Sequence, residues 1–101
     1  YLFKPPQRGD IVIIKYDNKV FFLKRVVALP GETVEFRRGN LYVNGKRLNE
    51  PYVIFPSSWE MKPRKVEDGN YYVVGDNRSM PLEEHKFGQV AAHRIIGAPI
   101  W

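Results

Sequence analysis

The stretch VFFLKRVVALPGETVEFRRGNLYVNG, residues 20–45, decides the fold. β-Branched and aromatic runs are cut by turn residues, and no apolar spacing of helical period runs through it. Residues 20–28 are expected as a long strand. Leu29-Pro30-Gly31-Glu32 follows as a type II turn, with Pro30 suited to its second position and Gly31 to its third. In residues 33–37, Val34 and Phe36 share one face. Arg38-Gly39-Asn40 then closes a tight connection to residues 41–43. Asn44-Gly45 is a strong signal for a type I′ hairpin, returning the chain through residues 46–48.

Outward from this stretch the punctuation is the same. Gly9-Asp10 leads into an expected strand at 11–16, ended by Asp17-Asn18. Residues 49–68, with three prolines, two serines and no sustained period, are expected as an extended surface excursion with weak strand content. Asp68-Gly69 turns into a strand at 71–74, residues 75–88 form a loop, and the last strand lies within 90–100. The expectation is one all-β domain over 1–101, a small bent antiparallel sheet or partial barrel with its core from 8–48 and 69–101. Period-two patterning points to Ile11, Ile13, Val20, Phe22, Val26, Val34 and Phe36 as core. Leu41, Val43, Tyr72, Val74, Ile95 and Ile96 complete that set.

A chain of 101 residues, 44% apolar and 14% aromatic, supports one core and excludes wholesale disorder. It has no cysteine, which removes disulfides, thiolate metal sites and a thiol nucleophile. The longest apolar runs, 11–14 and 20–23, fall far short of the ~20 residues that span a bilayer. No secretory signal opens the chain, so if the protein belongs to a membrane its anchor is expected outside these residues. Net charge is +5. Residues 1–50 hold ten Lys/Arg against five acids and residues 51–101 six against six, scattered rather than clustered. That scatter argues against nucleic acid as a partner. A domain apposed to anionic lipid headgroups carries a similar bias. His85 and His93 stand eight apart on different elements, which is no metal-ligand spacing, and no metal or cofactor is expected. Tyr71 and Tyr72 fit base stacking and sheet packing equally well.

Lys24 is the most informative single residue. Period two places it on a face with Phe22 and Val26, and places Phe21, Leu23, Arg25 and Val27 on the other. A lysine among apolar neighbours either snorkels to water or is partly dried, and drying favours the neutral amine that can act as a general base. The plain alternative is a solvated strand lysine. Asp76, Asn77 and Arg78 follow directly on an apolar strand, and equally suit an Asx turn that ends it or a site that pairs charges.

Taken together, two segments carry more than either alone. KRVVALPGE (24–32) and GDNR (75–78) resemble two boxes of the type I signal peptidases, a Ser/Lys protease family. RGDIVIIKY (8–16) resembles the family's strand before the lysine box, and LYVNGKRLNEPYV (41–53) its hairpin after it. The resemblance covers most of the chain in the family's order. It implies an all-β catalytic domain on the extracytoplasmic face of the cytoplasmic membrane, removing signal peptides from exported preproteins. It places Lys24 as the general base that takes the proton of a nucleophilic serine, and Phe22 and Leu23 on the substrate-lining strand. Arg25, Asp76, Asn77, Arg78 and Glu83 form the supporting motif.

Two departures from the family pattern stand out. The family's nucleophilic serine lies upstream of RGDIVIIKY, and none of Ser57, Ser58 and Ser79 matches it. The serine is therefore expected outside this chain, and the chain alone is expected to be inactive. After GDNR, Pro81 falls where the family has a serine beside the lysine, Glu83 where it has aspartate, and His85 where it has arginine. Two alternatives remain at this point. One is a related Ser/Lys maturation or self-cleaving peptidase, and the other a non-catalytic basic β-barrel that binds nucleic acid or lipid.

Overall fold

The computed structural model describes residues 5–15, 21–53, 58–76 and 88–97. The described chain forms antiparallel strands β1 (Ile11–Lys15), β2 (Phe21–Ala28), β3 (Thr33–Arg37), β4 (Asn40–Val43), β5 (Lys46–Arg47), β6 (Met61–Lys65), β7 (Asn70–Val74), β8 (Gln89–Ala91) and β9 (Ile95–Gly97), with one 3-10 turn at Ala92–Arg94. They divide into a five-stranded sheet of order β8-β7-β2-β1-β9 and a four-stranded sheet of order β5-β4-β3-β6. The all-β expectation holds. No described helix is long and apolar enough to cross a membrane.

The turns form for the reasons legible in the residues. Gly31 takes φ +85° at the third position of its turn, and the Glu32 N–H donates to the Leu29 carbonyl at 3.1 Å. At the hairpin tip Asn44 and Gly45 both take positive φ, 53° and 80°, as a type I′ turn requires. The Asn44 carboxamide oxygen also accepts from the Thr33 N–H at 2.9 Å, which ties the tip back to the start of β3.

Two apolar clusters hold the sheets. The first lies between them and contains Val27, Ala28, Val34, Phe36, Leu41, Val43, Trp59, Val66, Tyr72 and Val74. The second covers the other face of the five-stranded sheet with Val12, Ile14, Val26, Tyr71, Val73, Val90 and Ile95. Each fully buried aliphatic or aromatic side chain contributes about 1.5–3 kcal/mol. The two clusters cover both faces of β7, so Tyr71, Tyr72, Val73 and Val74 are all buried. In β2 the pairing with β7 shifts between Val26 and Ala28. This bulge lets the neighbours Val27 and Ala28 enter the same cluster.

Four expectations change. In β1 the buried residues are Val12 and Ile14, not Ile11 and Ile13, which are half-buried. Four successive β-branched residues carry no alternation, so only the register, Val12↔Lys24 and Ile14↔Phe22, selects the inner face. Ile96 is 44% exposed because Ile95 takes the inward place in a short edge strand. Phe22 is half-buried and packs against the second cluster. Residues 49–68 contribute more than a surface excursion. They supply β6, paired with β3, and two buried side chains, Trp59 and Val66. Trp59 meets Phe36 edge to face, with ring centroids 5.3 Å apart. Val20 lies outside the described residues.

Candidate active site

Lys24 lies in the middle of β2, opposite Val12 of β1. It shares that face with Ile14, Phe22 and Val26, and it is half-buried. Its Nζ stands 5.8 Å from the centroid of the Phe22 ring. Its neighbours on this face are apolar, as the period-two pattern of β2 implied. Leu23 points the opposite way and is 63% exposed.

Arg25, the next residue, ties this strand to the second sequence box. Its Nε donates to Asp76 Oδ1 at 2.9 Å and its Nη2 to Asp76 Oδ2 at 2.8 Å. Nη1 donates to the Gly9 carbonyl at 2.9 Å. On its open side the guanidinium lies over the Tyr52 ring, 3.9 Å from the centroid. The hydrogen bonds that Asp76 accepts raise the Arg25 pKa above its ordinary value and outweigh the opposing effect of burial. The ion pair is only partly exposed, 16% and 23% for the two side chains. A bidentate fork of this kind fixes orientation as well as charge.

The structure thus brings Arg25, the residue after Lys24 in β2, onto Asp76 although 51 residues separate the ion-pair partners. Asn77, Arg78, Pro81, Glu83 and His85 lie outside the described residues. So do Ser57 and Ser79. Ser58 is exposed. His93 is exposed on the 3-10 turn. Among the described residues no three His, Asp or Glu side chains gather as a metal site does. Tyr71 and Tyr72 are buried, at 7% and 4% exposure, so neither offers a face for stacking. Reading the sequence missed Tyr52 and the Gly9 carbonyl. Neither has a periodic or spacing relation to Arg25, and only the folded chain makes them neighbours.

An unclosed antiparallel β fold thus carries a half-buried lysine beside an anchored arginine. The family model described as "Signal peptidase, peptidase S26" matches residues 1–101. The chain belongs to that family. It is 38% identical over 104 residues to a probable signal peptidase I-2 of Synechocystis, covering 96% of this chain and 48% of the relative. A signal peptidase I of Bacillus amyloliquefaciens is 41% identical over 103 residues, covering 90% and 53%. A thylakoidal processing peptidase of Arabidopsis thaliana is 35% identical, covering 100% of this chain and 33% of the relative. The crystal structure of a signal peptidase I from Enterococcus faecalis superposes with a TM-score of 0.76 at 32% identity, covering 96% of this chain and 98% of that one. The chain spans about half the length of the first two of these relatives.

Proposed function

We propose that this chain supplies the lysine half of a Ser/Lys endopeptidase that removes signal peptides from exported preproteins. The observation that carries the reading is the convergence of the two boxes, with Lys24 on the apolar face and Arg25 beside it locked to Asp76. The serine is contributed by residues outside the chain. In the first step its hydroxyl oxygen attacks the scissile carbonyl carbon, and the hydroxyl proton passes to the neutral Lys24 Nζ. The resulting ammonium returns that proton to the departing amine, leaving an acyl-enzyme. Water then repeats the sequence and frees the serine. Phe22, on the face of Lys24, and Leu23, exposed on the other face, line the strand on which the substrate segment lies.

The site works at the extracytoplasmic surface of the cytoplasmic membrane. Supporting this are the exposed apolar side chains Phe21, Leu23 and Ile96, on β2 and β9, the two strands that flank β1.

The test is processing of a purified preprotein, with the new N-terminus identified by mass spectrometry. The chain joined to its serine-bearing segment cleaves at the signal-peptide junction, and the 101-residue chain alone does not. Cleavage by the chain alone, or none by the joined protein, overturns the proposal.

A further inference from the structure

Arg25 is the residue at which β2 is paired on both sides, with Ile11 of β1 and Val74 of β7. The β7 ladder starts there, one residue after Lys24. Successive side chains of a strand leave on opposite faces. The torsions that set where Arg25 points therefore also set where the Lys24 stem begins.

In its own plane the guanidinium is fixed by Asp76 and by the Gly9 carbonyl. Those bonds leave rotation out of the plane to be limited by what lies against its face. The Tyr52 ring does this at 3.9 Å, well within the range of a cation–π contact. Tyr52 is itself steadied, its hydroxyl donating to Glu50 Oε2 at 3.0 Å. The segment after the β4–β5 hairpin thus reaches back across the molecule to the lysine strand.

We propose that Tyr52 is a positioning residue for the reaction: its ring clamps Arg25, and through the Arg25 backbone it aims the Lys24 amine. This rests on the reading of Lys24 as general base. The clamp acts on orientation of the proton acceptor, so kcat depends on it more than substrate binding does.

The experiment uses the serine-bearing protein with Lys24→Ala as the control. Tyr52→Leu fills the space without an aromatic face. It is expected to lower kcat about 10-fold with little change in KM, because small displacements of a catalytic group are costly. The acid limb of its pH–rate profile moves to higher pH as water reaches a less well-held amine. Tyr52→Phe keeps the ring and restores kcat to within about twofold of wild type, at an unchanged pH limb. Should Tyr52→Leu fail to fold, Tyr52→Gln carries the same comparison. A leucine or glutamine variant that matches wild type in kcat and pH profile overturns the proposal. So does a phenylalanine variant as impaired as the leucine one. Activity that survives Lys24→Ala shows instead that the general-base reading has failed.

Discussion

Arg25 and Asp76 meet fork to fork, through two nearly parallel hydrogen bonds of 2.9 and 2.8 Å. One comes from the middle of β2 and the other from just beyond the end of β7, so the contact closes the loop of chain between the two sequence boxes. Because the pair is largely shielded from water, breaking it strands a charge that water cannot fully resolvate.

Asp76→Asn is expected to destabilise the domain by about 2 kcal/mol, since an amide N–H then faces a guanidinium donor. Arg25→Lys is expected to cost a similar amount, because an ammonium cannot reproduce the planar fork or lie flat on Tyr52. Urea unfolding measures both. If either variant stays within about 0.5 kcal/mol of wild type, the contact is not a structural anchor.

Trp59 tests whether the segment before β6 is core. Its ring is 5% exposed and meets Phe36 edge to face. Trp59→Ala is expected to cost about 3–5 kcal/mol in urea unfolding, as an emptied aromatic site does. A loss under about 0.5 kcal/mol is the signature of a surface loop and contradicts the packing.

Turn chemistry was the most readable part of this chain. Pro30-Gly31 and Asn44-Gly45 each dictate a turn geometry through backbone torsions that few residues tolerate, and both turns form. Strand faces were readable only where one side meets water, as in β3, whose buried residues Val34 and Phe36 alternate with partly exposed ones. Where both faces are covered, or where Ile11 to Ile14 offer no alternation, register decides, and register is a property of the assembled sheet. For the site, the pattern around Lys24 marked an apolar face within β2 alone. The Tyr52 ring over Arg25 has no such local trace, because it joins a turn after β5 to a residue of β2 through space.

Tyr72 links stability to alkaline pH. Burial raises its pKa above the ordinary value of 10.0, with Arg64 pulling weakly the other way. The folded state therefore favours the neutral phenol, whose hydroxyl donates to Met61 Sδ at 3.2 Å. That contribution is complete below the unfolded pKa and is lost as pH climbs from there through the folded one. Melting curves collected from pH 8 to 11 are expected to show a fall above about pH 10 that is shallower in Tyr72→Phe. Parallel falls in the two proteins rule out Tyr72 as the source.

Lys24 separates the peptidase reading from the plain one most sharply. In the serine-bearing protein, Lys24→Ala is expected to abolish preprotein processing while the melting temperature stays near that of wild type, since alanine leaves no charge on the apolar face. Lys24→Arg is expected to fail equally, because a guanidinium stays protonated at any workable pH and cannot accept the serine proton. Wild-type activity is expected to rise with pH as the neutral amine is populated. The ordinary lysine pKa of about 10.4 leaves only about 0.1% neutral near pH 7.4, so Phe22 and Val26 have to dry the amine for useful turnover. Replacing Phe22 with Ser admits water there, and should move the acid limb to higher pH without touching the base itself. Pro81 stands where the family has a hydroxyl beside the lysine, so Pro81→Ser is expected to preserve or increase the rate. Normal turnover in Lys24→Ala would reduce Lys24 to a strand lysine with its head in water.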